Sequence, residues 1–354
     1  MGLPFNPGDP VPLFRASVGD AREFNFDSAA GRYVMVLFVG TAGHKLIRQA
    51  LERVVAQAEL FDDIRHTLFV VTTDPADRAT LSFPRPGMRP VWDFDRAISR
   101  AYGLIDPAGR CAPLGLLLDP TLRVIGATGL DGFDGLIETA RGLPPMDAHA
   151  GVELIAPILL VPRVFERDFC ARLVEHYRAG ETADSGFMRE IDGMTVAVSD
   201  HGFKRRRDCA IDDPELAGQC RDRIQRRLLP EIRRCMQFTA TRIERYIVAR
   251  YGADEGGFFR PHRDDTTAGT AHRKFAVTMN LNAEDFTGGE LRFQEFGNRL
   301  YRCPTGGAIV FSCSLMHEAM PVRSGERFAF LPFLYDEEGA AIRERNLSKV
   351  RIGN

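Results

Sequence analysis

The sequence predicts two joined folds: an α/β domain over residues 1–145, and an antiparallel β domain with flanking helices over residues 150–354. Three observations predict this. In the first part, apolar strand runs alternate with helical patterns, the order of an α/β domain with a partly parallel sheet. Gly142-Leu143-Pro144-Pro145-Met146-Asp147-Ala148-His149 then has the composition of a linker. After it, short strands and Gly/Pro turns recur at the spacing of an antiparallel sandwich or jelly roll.

In the first domain, Pro7-Gly8-Asp9-Pro10-Val11-Pro12 makes a turn-rich entry. Residues 33–39 form an uninterrupted apolar strand. A helix is expected over 46–61, with Leu46, Ala50, Leu51, Val54, Val55 and Ala58 along one side. Residues 68–72 read as the next buried strand and 98–102 as a short helix. Residues 114–118 and 124–127 read as two more strands, joined through Asp119-Pro120.

In the second domain, 155–161 reads as a strand. Phe165, Phe169, Leu173 and Tyr177 recur at helical spacing over 165–178. Lys204-Arg205-Arg206-Arg207 is the densest basic run. It reads as a solvated loop, with contact to an acidic substrate or phosphate as the alternative. Asp213-Pro214-Glu215 opens a helix expected to run to about residue 236, with proline in its first turn. Residues 246–249 form a strand that runs into Tyr251. Phe275, Val277, Met279 and Leu281 alternate with Lys274, Ala276, Thr278 and Asn280, the period of a half-buried strand. Gly288-Gly289 precedes a strand at 290–294. Thr305-Gly306-Gly307 turns into a strand at 308–312, and 327–335 reads as another.

The chain has 354 residues, enough for a core in each domain. Its net charge of -2 creates no global field toward nucleic acid or an anionic membrane, so either partner would need a local patch. Seven cysteines, an odd count without any Cys-x-x-Cys, argue against a disulfide framework and fit a reducing cytoplasm. Met1-Gly2-Leu3-Pro4 lacks the charged and apolar segments of a signal peptide, and no run reaches membrane-spanning length.

The chemistry concentrates between Tyr251 and Arg327. His262-Arg263-Asp264 places a carboxylate two residues after an imidazole, which no other histidine here does. With His317 it offers two imidazoles and one carboxylate. That donor set leaves open positions on a metal and favours non-haem Fe(II) and oxygen chemistry. A structural zinc site more often uses cysteine and closes the fourth position. Arg327 follows His317 by ten residues. On an adjacent strand its guanidinium can hold a carboxylate bidentately, and Tyr251 can add a hydroxyl. The competing reading makes Arg327 a surface strand arginine paired with Glu326 or another carboxylate.

Tyr251, His262-Arg263-Asp264, His317-Glu318-Ala319-Met320-Pro321 and Arg327 resemble the prolyl-4-hydroxylase-like branch of the Fe(II)/2-oxoglutarate dioxygenases. Gly288-Gly289-Glu290-Leu291 matches as well. The resemblance spans roughly residues 155–335. It implies a double-stranded β-helix (jelly roll), with His262, Asp264 and His317 as iron ligands. It implies that Arg327 and Tyr251 hold the distal carboxylate of 2-oxoglutarate, and that no catalytic group beyond the metal centre is needed. O2 is the oxidant, ascorbate a candidate reductant, and succinate and CO2 the by-products of hydroxylation. By the same resemblance the substrate is a peptidyl proline or an amino-acid-like small molecule. One departure is Asn280, a candidate cosubstrate-binding residue at the position where some relatives carry a second tyrosine.

The first domain resembles the peroxiredoxin branch of the thioredoxin fold. The matching pieces are Gly8-Asp9-Pro10-Val11-Pro12, the strand at 34–39 before a helix, Arg100-Ala101-Tyr102-Gly103, and Leu117-Leu118-Asp119-Pro120. The peroxidatic cysteine of that family belongs in the loop opening the first long helix, where the helix N-terminus lowers its pKa. Here that loop is Gly40-Thr41-Ala42-Gly43-His44-Lys45, without cysteine. The fold is therefore expected to be kept and the peroxidase chemistry lost, leaving a non-catalytic domain that can mediate self-association. Cys111 reads as a small buried hydrophobe rather than a displaced redox thiol. Two other functions compete with the oxygenase: a thiol peroxidase through the first domain, and a non-enzymatic assembly module.

Overall fold

The structure, a computed structural model, describes residues 3–19 and 21–351; Met1 and Gly2 of the N-terminal reading lie outside the described residues. The chain forms two compact units, Met1–Ile155 with Gln294–Asn298, and Ala156–Phe293 with Arg299–Asn354.

The first unit is built on a seven-stranded sheet. Its strands are β1 (Arg15–Val18), β2 (Ala21–Asn25), β3 (Tyr33–Gly40), β4 (His66–Thr72), β5 (Met88–Trp92), β6 (Leu114–Leu118) and β7 (Val124–Thr128). They lie in the order β2-β1-β5-β4-β3-β6-β7. β3, β4 and β5 run parallel, and β6 and β7 pair antiparallel beside them. Burial on both faces explains the unbroken apolar run of β3. Val34, Val36 and Phe38 enter one core, while Met35, Leu37 and Val39 enter another.

α1 (Lys45–Val55) covers the second of these faces with Ile47, Ala50, Leu51 and Val54. It is shorter than the expected 46–61 and turned about its axis, so Leu46 is 57% exposed and Ile47 is buried. Residues 58–60 form a separate 3-10 turn. The short helix near residue 98 is α2 (Ala97–Ala101). α3 (Phe133–Gly142), which the sequence reading did not anticipate, buries Phe133, Leu136, Ile137 and Ala140.

In the second unit, one sheet runs through Arg242–Glu244, Phe333–Tyr335, Phe275–Asn280, Val322–Phe330, Ile247–Gly252, Arg207–Ala210 and Ala183–Asp184. Another runs through Lys204–Arg205, Phe258–His262, His317–Ala319, Leu291–Arg292 and Leu300–Tyr301. Their described strand pairs are antiparallel.

Helices Arg167–Ala179, Pro214–Arg227 and Leu229–Met236 cover one face of the first sheet. Phe169, Leu173, Cys220, Ile224 and Ile232 share a core with Val248, Val277, Met279, Phe328 and Phe330. The two-residue strand period then sends Tyr251, Thr278, Asn280 and Arg327 to the opposite face. That face is buried as well, so Phe275–Asn280 is not the half-buried strand its alternation suggested. The second sheet meets this face where Phe311, on Ala308–Ser312, packs against His317 with ring centroids 4.5 Å apart.

Two other boundaries differ at prolines. The expected helix to residue 236 breaks at Leu228, two residues before Pro230, which cannot supply the next helical N–H. Its start is as expected, with the Asp213 carboxylate accepting from the Glu215 N–H at 3.0 Å. The expected strand at 327–335 is two strands, Val322–Phe330 and Phe333–Tyr335, parted at Leu331-Pro332. The strand at 155–161 narrows to Leu159–Val161, and that at 290–294 to Leu291–Arg292. Among the described residues, no helix is long and apolar enough to cross a membrane.

Candidate metal and cosubstrate centre

His262 ends one strand and His317 opens its antiparallel neighbour, so the register sets the two residues directly opposite each other. Their ring centroids are 4.3 Å apart. Asp264 lies two residues past the strand end, with its backbone N–H donating to the Cys313 carbonyl at 2.9 Å. Its Oδ1 sits 3.6 Å from His262 Nε2, and its Oδ2 sits 3.4 Å from His317 Nε2. The three ligand atoms lie within 4.8 Å of one another, the one such group among the described residues.

Both imidazoles are oriented by the same device. Nδ1 of His262 faces the Arg260 carbonyl at 2.7 Å, and Nδ1 of His317 faces the Leu315 carbonyl at 3.0 Å. A carbonyl only accepts, so Nδ1 carries the hydrogen and Nε2 presents its lone pair. Phe259 stacks on His262 with ring centroids 3.5 Å apart, which holds that ring's plane. Burial, followed by the nearby His262, pushes the His317 pKa down to about 4. Burial opposes ionisation of Asp264, but His317 and His262 hold its carboxyl below the usual carboxylate range. A neutral His317 imidazole beside the ionised Asp264 carboxylate is the protonation state that binds a divalent cation. The donor set therefore fits Fe(II) with open positions.

Tyr251 and Arg327 are also direct cross-strand partners. Each is 3% exposed. Arg327 Nε donates to Asn280 Oδ1 at 3.1 Å, Nη2 donates to Thr278 Oγ1 at 2.8 Å, and the guanidinium lies 5.1 Å from the Tyr251 ring centre. Among the described residues Arg327 has no ion-paired carboxylate. Glu326 pairs instead with Arg250 at 2.5 Å, which removes the surface-pair reading of Arg327. Burial pushes the Arg327 pKa down. A buried cation without a counter-charge is costly, and an anionic ligand relieves that cost. Asn280 is committed on both sides, accepting from Arg327 and donating to the Cys303 carbonyl at 2.9 Å. Gly289 has φ +69°, and a Cβ there would lie 3.0 Å from Arg327 Cδ, so the Gly288-Gly289 pair lets the backbone pass this side chain.

The basic run is not the solvated loop the sequence suggested. Lys204 and Arg206 are each 6% exposed; Lys204 opens the strand Lys204–Arg205, and Arg206 lies between it and the strand Arg207–Ala210. Lys204 Nζ donates to Ser185 Oγ at 2.8 Å and the Gly186 carbonyl at 2.7 Å, and lies 4.6 Å from the Phe259 ring centre. Burial, with Arg206 next, pushes its pKa well below the lysine value. Thr278 and Arg206 are site residues that motif spacing missed. The signals were present as polar residues at inward-facing strand positions. In the first unit, burial pushes the Cys111 thiol pKa up, opposite to an activated cysteine.

Behind Asp264, Arg273 pairs with Glu244 at 2.6 Å and donates to the Asp264 carbonyl at 3.4 Å, while His272 contacts Glu244 at 2.8 Å. Burial opposes the Glu244 charge, but His272 and Arg273 hold its pKa below the usual range. Its stabilisation is thus fully present above the unfolded pKa of about 4.3 and is lost as pH falls through the lower folded value. Glu244→Gln is expected to cost about 3–5 kcal/mol near neutral pH by leaving Arg273 without its counter-charge. The deficit should shrink as pH falls below about 4.3, because the unfolded parent chain then takes up a proton that the folded Glu244 carboxylate still excludes. Urea unfolding of both chains between neutral and acid pH checks this; a constant deficit would contradict it.

Residues 246–335 match the family model of the 2OG-Fe(II) oxygenase superfamily, so this segment carries a 2OG-Fe(II) oxygenase domain. A PKHD-type hydroxylase of Idiomarina loihiensis is 27% identical over 113 residues, covering 31% of this chain and 49% of that protein. One from Maricaulis maris is 33% identical over 89 residues, covering 25% of this chain and 40% of that protein. The matches thus span half or less of these relatives' length. Among solved structures, a Trichoplax adhaerens prolyl hydroxylase bound to a hypoxia inducible factor peptide fragment is 17% identical, with TM-score 0.39. It covers 52% of this chain and 86% of that one. The Xanthomonas campestris bacterioferritin comigratory protein, described for alkyl peroxide reduction, is 18% identical, with TM-score 0.32. It covers 37% of this chain and 96% of that one.

Proposed function

We propose that this chain is an Fe(II)- and 2-oxoglutarate-dependent hydroxylase whose catalytic domain is residues 150–354, a double-stranded β-helix (jelly roll). The observation that carries the reading is the pair of cross-strand couples on facing sheets: His262 with His317 beside Asp264, and Tyr251 with the uncompensated Arg327. His262, Asp264 and His317 hold the iron. Arg327 and Tyr251 hold the distal carboxylate of 2-oxoglutarate, and Asn280 orients Arg327. When bound, iron with 2-oxoglutarate and O2 supplies the oxidising power that converts a substrate C–H to C–OH, with release of succinate and CO2. The protein's part is placement: fixed imidazole tautomers, a carboxylate between them and a buried cation at the cosubstrate's far end. Ascorbate serves as the reductant for iron oxidised off-cycle.

The names of the relatives support a hydroxylase, and the substrate class best matched by the motif resemblance is a peptidyl proline or an amino-acid-like molecule. The test is a screen of peptides and small molecules with the iron-loaded chain and 2-oxoglutarate, read by mass for the gain of one oxygen atom. Oxygenation confined to a chemically unrelated class would overturn the substrate assignment.

Residues 1–145 are, in this reading, a thioredoxin-like domain without peroxidase chemistry, serving self-association or partner placement in the cytoplasm. A chain starting at Ala150 is expected to keep the metal site but change its oligomeric state or substrate range. Light scattering and the same screen check this, and a match to the full chain in both would remove that role.

A further inference from the structure

Arg206 lies outside the segment matched by the family model, and no role given above uses it. Its Nη2 donates to Asp208 Oδ2 at 2.6 Å and to Ser185 Oγ at 2.8 Å. Its Nη1 reaches the Tyr251 hydroxyl at 3.4 Å, and its guanidinium lies 5.8 Å from the centre of the ring that Arg327 also approaches. A guanidinium has donors only. The Tyr251 oxygen therefore accepts from Arg206, and its own hydrogen is left to be donated. Among the described residues that hydrogen has no acceptor, although Tyr251 is 3% exposed. A buried donor without an acceptor is destabilising, and an acceptor-only group such as a carboxylate satisfies it. Asp208 neutralises Arg206, so Arg206 adds little net charge at the ligand and acts through the direction of the Tyr251 hydroxyl.

We propose that Arg206 is a positioning residue for the cosubstrate: it holds the Tyr251 oxygen from behind and commits the Tyr251 O–H as a donor to the distal carboxylate beside Arg327. This rests on the 2-oxoglutarate reading above and adds to it a residue supplied by the Lys204-Arg205-Arg206-Arg207 run.

The test is calorimetric binding of 2-oxoglutarate to the full chain loaded with Mn(II), without oxygen. Tyr251→Phe and Arg206→Met are each expected to weaken binding about 10-fold, the scale of one hydrogen bond to a charged acceptor. Because both act through the same Tyr251 O–H, one by removing it and the other by releasing its orientation, the combined variant should be weaker than the worse single by no more than about twofold, the signature of coupled residues. Arg206→Lys should recover part of the loss. If Arg206→Met does not fold, Arg206→Met with Asp208→Asn removes both charges and replaces it. Unchanged 2-oxoglutarate affinity in the Arg206 or Tyr251 variants would overturn the proposal. So would effects that multiply in the combined variant, or losses that follow lost Mn(II) binding. Arg327→Ala separates the two levels. If it too binds 2-oxoglutarate normally, the cosubstrate reading itself fails; if it alone is weakened, only the role of Arg206 fails.

Discussion

His317→Ala is expected to lower coupled hydroxylation by well over a hundredfold, and His262→Ala and Asp264→Ala to do the same. Partners that merely orient a metal ligand are worth about 10–100-fold in affinity or activity, and a ligand is worth more. The three do not fail identically. Loss of either histidine removes an Nε2 fixed by a backbone carbonyl, so neither has a spare donor to replace it. Loss of Asp264 also removes the negative charge between the two rings. Asp264→Ala can therefore retain some metal on the imidazoles and still lose hydroxylation. Metal content and product formation measured together check this, and full coupled activity in His317→Ala would refute the ligand assignment.

Arg327→Ala is expected to raise the apparent KM for 2-oxoglutarate by at least about a hundredfold. Removing one partner of a buried charge pair costs about 3–5 kcal/mol, and about 1.4 kcal/mol is tenfold. Iron content should change little, because Arg327 is not among the three clustered ligand residues. Arg327→Lys should recover part of the loss, since lysine restores the charge but not the planar fork that reaches Asn280 and Thr278 together. Titration of succinate formation against 2-oxoglutarate reads both variants. An unchanged dependence in Arg327→Ala would move the cosubstrate carboxylate to another residue.

Much of the candidate site was legible because its members sit in motifs with short internal spacing. His262-x-Asp264 lies at a strand end, and Arg327 follows His317 by ten residues, so local chain geometry carries most of the information. The alternation of Phe275, Val277 and Met279 correctly marked a strand but hid its other face. Alternation cannot distinguish water from a second sheet as the cover for Ala276, Thr278 and Asn280, and here they are buried. Arg206 was missed for a related reason. Four consecutive cations look solvated in one dimension, yet the strand period buries Lys204 and Arg206 while Arg205 stays exposed. In the first unit, β3 and β4 were plain from apolar runs, whereas α3 was obscured by glycines at 132 and 135 around its opening turn. Its buried Phe133, Leu136, Ile137 and Ala140 nonetheless follow helical spacing.

Succinate formation from 2-oxoglutarate by the full chain, with and without Fe(II), tests the oxygenase reading most directly. Uncoupled turnover needs no identified substrate, so the assay depends only on the metal and cosubstrate sites. The account predicts oxygen- and Fe(II)-dependent succinate from the parent chain, loss of that signal in Asp264→Ala, and a right-shifted 2-oxoglutarate curve in Arg327→Ala. No succinate from an iron-loaded parent chain in air, or equal succinate from Asp264→Ala, would contradict it.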